Sequence, residues 1–106
     1  MIIVTTESVS GYTIREHLGS VIGNTIRARH LGKDIMAGFR TILGGEIKEY
    51  TGMLAESREQ ALIRMRDKAK ELGADAVVGV RFQTSMILSG TAELLVYGTA
   101  VKLARQ

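Results

Sequence analysis

Cysteine is absent from this chain of 106 residues, and its absence excludes three kinds of chemistry. Without cysteine the protein can form no disulfide scaffold, bind no metal through thiolates and use no cysteine nucleophile. Proline is absent as well, whereas 12 of the 106 residues are glycine, more than the ~7% of an average protein. Glycine is therefore the residue that must mark the turns and bends.

Aromatic residues and concentrated charge are also scarce. Aromatics make up 5% of the chain, the net charge is only +3, and no run of lysine or arginine exceeds two residues. Nucleic-acid-binding proteins usually concentrate basic residues on one face, often beside aromatic side chains on which bases stack. We therefore expect no nucleic-acid partner.

The first seven residues, MIIVTTE, lack both a positive segment and a long apolar run. They fit neither a signal peptide nor a membrane span, so we expect no membrane partner and a cytoplasmic location. A hydrophobic content of 45% and a length of 106 residues predict one globular domain over 1–106. A core of this size is modest, and association between subunits is one way to bury more apolar surface.

The first half of the chain contains two predicted strands and a short helix. Residues 2–5 are β-branched and read as a strand, and residues 12–29 read as a long strand with a bulge at Gly19-Ser20 or near Gly23. Apolar spacings of three and four predict a helix over 33–43 that ends at Gly44-Gly45.

The strongest helical pattern covers residues 46–72. Ile47, Tyr50, Leu54, Ala61, Met65, Ala69 and Leu72 form one stripe, and Gly73 is a suitable end. Residues 57–60, SREQ, match a capping box, so a helix could instead begin there. Because the stripe keeps its phase across Ser57, we favour one helix from Glu46. Gly38 and Gly52 lie inside helical patterns, where we expect close packing.

The last third predicts a hairpin of strands 76–88 and 92–103, joined by Ser89-Gly90-Thr91. Val78, Val80 and Phe82 share one face of the first strand. The second strand is apolar on both faces, which indicates that both are covered. We expect close approach at Gly79 and Gly98. The order β-β-α-α-β-β predicts an α+β fold, with helices on one face of an antiparallel sheet.

The two histidines, His17 and His30, are the candidate metal ligands. They lie 13 residues apart without the short spacings of metal sites, although methionines could add soft ligands. Surface positions for both histidines are the favoured interpretation, so the ligand spacing does not support a heavy-metal cofactor.

Four residues are candidates for binding a small ligand: Glu46, Tyr50, Arg58 and Arg81. Arg81 could anchor an anion, or it could pair with an acid such as Glu46 or Glu93 at a subunit boundary, which we favour. An enzyme site shared between subunits around Glu46, Arg58 and Arg81 stays a further alternative. The nucleotide-binding and hydrolase motifs GxGxxG, GxxxxGK[ST] and GxSxG are all missing, and we assign no catalytic residue.

Five segments, in order along nearly the whole chain, resemble the YbjQ family of bacterial and archaeal proteins. They are GSVIGNT at 19–25, GEIKEYT at 45–51, SREQA at 57–61, LGADAVV at 72–78 and YGTAV at 97–101. One departure is Ser10 before Gly11, where the family often has proline. The resemblance implies a dodecin-like α+β subunit that assembles into a ring, expected to be a pentamer. The family name also carries the phrase "putative heavy-metal-binding".

These observations lead to an expected homo-oligomer that binds a small ligand at its subunit interfaces. The alternative is a heavy-metal-binding protein with a weak site at His17 and His30. The sequence does not specify a reaction.

Overall fold

The computed structural model describes residues 1–28, 48–88 and 91–106. They form strands β1 (Ile2–Ile3) and β2 (Tyr12–Ala28), helix α1 (Lys48–Glu71), and strands β3 (Ala76–Leu88) and β4 (Thr91–Arg105). The predicted helix over 33–43 and the predicted helix start at Glu46 lie outside the described residues. Among those residues, no helix combines the length and the hydropathy that a membrane crossing requires.

The strands form one sheet in the order β1-β3-β4-β2. The three long strands pair antiparallel, as the sequence predicts, and α1 packs on one face, which confirms the α+β fold. The short β1 adds a parallel pairing, with Ile2 opposite Ala76 and Ile3 opposite Val77. Parallel neighbours need a long connection between them, and the chain that contains β2 and α1 provides it.

Helix α1 runs through Ser57 without a break, so the alternative helix start at the capping box is wrong. The reason is that Ser57 is buried in the stripe that faces the sheet, where its carbonyl oxygen accepts a hydrogen bond from Thr25 Oγ1 at 3.4 Å. The helix ends as predicted at Gly73, which has a φ of +79°. Asp75 then ties this end to β4, because its Oδ2 accepts a bond from the Leu103 N–H at 2.8 Å.

The main core lies between α1 and the sheet. Ala61, Met65 and Ala69, spaced four residues apart on the helix, are completely buried against it. Their partners on the strands are Val21, Val77, Val80, Val96 and Ala100. Burial of this small apolar stripe is the main favourable contribution to holding the two layers together.

A second, smaller cluster lies on the opposite face of the sheet. Ala76, Val78 and Val101 are buried there under Ile2, Val4 and Val9 of the N-terminal segment, together with Ile14 and Leu103. Among the described residues, β4 is therefore covered on both faces only at its C-terminal half. Farther along the same face, Tyr97 is 39% exposed.

The alternation along β3 differs from the prediction, because Val78 and Val80 face opposite sides of the sheet. Gly79, with a φ of +63°, forms a bulge between the registered residues Val78 and Arg81. A bulge inserts an extra residue, and every later side chain then moves to the other face. The prediction that these two valines share a face is wrong for that reason.

The glycines of β2 have different roles. The predicted bulge near Gly19 is confirmed, since the register shifts between His17 and Gly19. Gly23 keeps its register with Val96, so no bulge forms there. A Cβ atom on Gly23 would instead collide with the carbonyl oxygen of Ala61 and lie 2.6 Å from the Met65 nitrogen. Gly23 therefore lets the helix backbone approach the strand directly.

The expected close approach is confirmed at Gly98 and is wrong at two other glycines. A Cβ on Gly98 would lie 2.7 Å from Val77 Cγ1. Nothing lies within 4 Å of a Cβ built on Gly79 or on Gly52. Gly79 is needed for its backbone conformation, and Gly52 lies on an exposed part of α1.

We predict that Gly23→Ala lowers the free energy of unfolding by about 3 kcal/mol, because the helix must move away from β2 to admit one methyl group. The matched variant Gly52→Ala has open space and should gain up to about 1 kcal/mol of helix propensity. Urea unfolding followed by circular dichroism measures both. Equal stabilities of the two variants would contradict the close packing at Gly23.

Candidate functional site

The face of the sheet away from α1 carries the strongest candidate site. Beyond the second cluster, the strands present Ile22, Asn24 and Ile26 from β2, Glu93, Leu95 and Tyr97 from β4, and Arg81, Gln83 and Ser85 from β3. We call these nine residues the outer patch. Their common orientation follows from the alternation along each strand, since their neighbours Val21, Val80 and Val96 are buried under the helix.

Large apolar side chains of the outer patch are exposed. Ile22 and Tyr97 are register partners across β2 and β4 and are 44% and 39% exposed, while Ile26 is 58% exposed. Single apolar residues on a surface are ordinary, but adjacent exposed residues on one face indicate a contact or binding surface. The outer patch has the composition of such a surface.

Arg81 supplies the positive charge of the outer patch. It stands opposite Tyr97 in the β3–β4 register, and Ile22 stands opposite Tyr97 on the β2 side. Its Nη1 donates hydrogen bonds to the carbonyl oxygens of Thr5 at 2.8 Å and Val80 at 2.9 Å. A guanidinium carries five N–H donors, so these bonds orient the group without using all of them.

A second polar contact crosses the outer patch. Asn24 Nδ2 donates a hydrogen bond to Glu93 Oε2 at 3.2 Å, and both residues are partly buried. The negative charge of Glu93 is therefore held beside Asn24 and four residues along β4 from Tyr97, the register partner of Arg81. The described bonds of Arg81 go to backbone carbonyls, and its favoured pairing with Glu46 or Glu93 at a subunit boundary stays a prediction.

The structure places Arg58 and Arg81, the two predicted ligand-binding residues with described side chains, on opposite sides of the sheet. Arg58 is exposed on α1, next to the buried Ser57, and so lies on the helix side of the sheet. Arg81 lies in the outer patch, on the other side. Tyr50 belongs to α1, but its side chain, like the whole of Glu46, lies outside the described residues.

Of the two candidate metal ligands, only His17 belongs to the described residues. His17 is exposed on β2, opposite Val101 and next to the bulge at Gly19. His30 lies outside the described residues. Within 1–28, 48–88 and 91–106, no group of three His, Cys, Asp or Glu side chains comes together in a way that could hold a metal ion.

The sequence interpretation missed Ile22, Asn24 and Tyr97 as site residues. The sequence does indicate that β4 has apolar residues on both faces, because Leu95 and Tyr97 alternate with Leu94 and Val96. The outer face of β4 could therefore have been suspected as a binding surface. The neighbours of these residues could not, because the pairings depend on inter-strand register. The irregularity at Gly19 shifts the register of Ile22 with Tyr97, and the bulge at Gly79 shifts that of Arg81 with Tyr97.

Comparison with known proteins places the chain among uncharacterised relatives. The model of the YbjQ family, described as "Putative heavy-metal-binding", matches residues 1–104. A UPF0145 protein of Archaeoglobus fulgidus is 60% identical over 103 residues, which cover 97% of this chain and 95% of that protein. A UPF0145 protein of Thermosipho melanesiensis is 59% identical, with the same coverage of both chains.

A solved structure resembles the fold. It is a protein of unknown function of the DUF74 family from Pediococcus pentosaceus, with a TM-score of 0.69, 20% sequence identity, and coverage of 98% of each chain. At this identity the likeness supports the α+β fold alone.

Proposed function

The chain belongs to the YbjQ family, and from that premise we propose that it acts as the subunit of a homo-oligomer that binds a small organic anion on the outer patch. The observation that carries the proposal is the adjacent exposure of Ile22, Ile26 and Tyr97 on a sheet face that the rest of the described chain does not cover. A subunit with a modest core stabilises itself by burying such residues against a second copy.

The chemistry of the outer patch supports an anionic, partly apolar ligand. Tyr97 and Ile22 offer apolar contact area, and Arg81, the register partner of Tyr97 on β3, supplies a guanidinium at the border of the outer patch, beside Thr5 and Val80. Ligand sites are typically apolar with a few well-placed polar groups, and an arginine recognises carboxylates and phosphates by paired hydrogen bonds. At a subunit boundary, the second copy would exclude water from these contacts and strengthen them.

The form of the assembly follows from the family resemblance. It implies a dodecin-like subunit arranged in a ring, for which five copies are expected, with the cytoplasm as the expected compartment. An enzyme site made of Glu46, Arg58 and Arg81 would have to combine residues of different subunits, because one chain places Arg58 and Arg81 on opposite sides of its sheet.

We predict that the purified protein sediments at micromolar concentration as a homo-oligomer, near five times the 11.5 kDa of one chain. Burial of the exposed apolar residues provides the driving force. Sedimentation velocity and equilibrium measure the assembly and its mass. A clean monomer over the whole concentration range would contradict the oligomeric subunit.

We predict that Arg81→Gln weakens binding of the anionic dye anilinonaphthalene sulfonate about tenfold. This is the loss expected when a charge-assisted hydrogen bond worth about 1.5 kcal/mol is removed. Fluorescence titration at a fixed oligomer concentration measures it. The matched variant Arg58→Gln, which removes the same charge on the helix side, should change binding less than about twofold. Equal losses in the two variants would show nonspecific charge attraction and contradict a site on the outer patch.

Heavy-metal binding is the second candidate function, and the description of the matching family model is the observation that favours it. The chain has no cysteine and two histidines without metal-site spacing, so a site would draw ligands from several copies.

We expect calorimetric titration with Zn²⁺, Cu⁺ and Ni²⁺ to show no stoichiometric binding tighter than about 10 µM, the range of weak surface sites. Elemental analysis of the purified protein is the parallel measurement. Tight stoichiometric binding that is lost in His17→Asn would instead establish the metal function.

A further inference from the structure

The edge of β3 is only half covered by β1. The last described bonds across this edge come from the Gly79 N–H to the Thr6 oxygen at 2.8 Å and from the Val80 N–H to the Val4 oxygen at 3.1 Å. Strand β3 continues to Leu88, and in the part of the chain that the structure describes no strand lies beside residues 82–86 on this side. A half-covered edge leaves backbone donors and acceptors without a strand partner.

The direction of those backbone groups follows from alternation. The Val80 N–H points toward β1, so in the regular stretch that follows, the N–H groups of Phe82, Thr84 and Met86 point to the same open side. The side chains along this stretch are exposed too, with Phe82 at 44% and Met86 at 74%. Open backbone groups together with exposed large apolar side chains are the features of a strand that accepts another strand.

Among the described strands, the sheet has a second open edge on its other side. Strand β2 is the end strand there and is 17 residues long. The Asn24 carbonyl oxygen accepts a bond from Arg64 Nη1, which reaches over from α1. The alternation through β3 and β4 also turns Asn24 away from β4, so the backbone groups of Ser20, Ile22 and Asn24 all face outward. A carbonyl oxygen has two lone pairs, so the Arg64 contact still leaves Asn24 an acceptor.

We propose that residues 82–86 of β3 pair with the β2 edge of a second copy of this chain and extend the sheet from subunit to subunit. The inference rests on the proposed homo-oligomer and names the surface that builds it. Both edges belong to one sheet and carry backbone N–H and C=O groups without a strand partner. The β3 edge of one copy can therefore form hydrogen bonds with the β2 edge of the next copy. The contact is head to tail, the type of interface that closes into a ring.

Self-pairing of two β3 edges is the competing arrangement. It would join two copies through a twofold axis and would leave the longer edge of β2 open in both. Long open edges favour further association, so a closed assembly is better explained by β3 meeting β2. The two arrangements predict different effects of substitutions on β2, which makes them separable.

Proline substitution tests the edge directly. Thr84→Pro removes an N–H that faces the open side and is not used to bind β4, so the fold should survive, as proline is tolerated on edge strands. We expect Thr84→Pro to convert the oligomer to a monomer in sedimentation velocity at micromolar concentration, while the control Thr84→Val stays assembled. On β2, at least one of Ser20→Pro, Ile22→Pro and Asn24→Pro should do the same, with Ile22→Val as the control.

The outcomes separate this interface from the proposed function. A monomeric wild type overturns both. An assembled wild type together with an assembled Thr84→Pro variant overturns the interface alone. Dissociation by Thr84→Pro but by none of the three β2 prolines shows self-pairing of β3 and also overturns it.

Hydrogen exchange provides a test on the wild type, which keeps the proposal falsifiable if a proline variant does not fold. We expect the Thr84 amide to exchange as slowly as the amides of the β3–β4 ladder in the oligomer, and at least about a hundredfold faster in a folded monomeric β2 proline variant. Fast exchange in the oligomer, or slow exchange in the monomer, overturns the pairing.

Discussion

The direct contact between α1 and Gly23 is the constraint on which the rest of the structure depends. Because this position of β2 has no side chain, the backbone at Ala61 and Met65 lies against the strand itself. The small residues spaced four apart along the helix then fit over β2 and β4. A helix held this close to one side of a four-stranded sheet does not reach the distal half of β3, where Phe82 and Met86 are exposed.

The position of the helix therefore determines which surfaces the subunit leaves for a partner. The N-terminal segment covers the opposite face only around Val78 and Val101, where the second cluster forms. The outer patch and the distal edge of β3 both lie beyond that cover, in the same half of the sheet. A second copy that extends the sheet at residues 82–86 would also approach the row that contains Arg81 and Tyr97, so assembly and ligand binding would be linked.

The sequence predicts the helices and strands better than it predicts which strands pair and which face each side chain occupies. The stripe through Ala61, Met65 and Ala69 and the stop at Gly73 locate α1 because both signals are local. The bulge at Gly79 was not predictable in the same way, since a glycine within a strand is compatible with a bulge, a bend or close packing. Its effect is large: it reverses the faces of every later residue of β3 and thereby places Arg81 beside Tyr97. The parallel position of β1 depends on a crossover that no local pattern encodes.

The candidate site shows the same limit in chemical terms. Arg58 and Arg81 are equivalent as sequence features, two arginines beside apolar stripes, yet one lies on the helix and the other across the sheet. What distinguishes them is the neighbourhood, since carbonyl oxygens of Thr5 and Val80 orient the Arg81 guanidinium at the border of the outer patch. The absence of cysteine, by contrast, can be read from the sequence alone, and it excludes thiolate ligands from any metal site before the fold is known. With no cysteine and only two histidines in the sequence, a heavy-metal site would need ligands from neighbouring copies. The proposed anion site also lies at a subunit boundary, so the structure of that boundary would decide between the two functions.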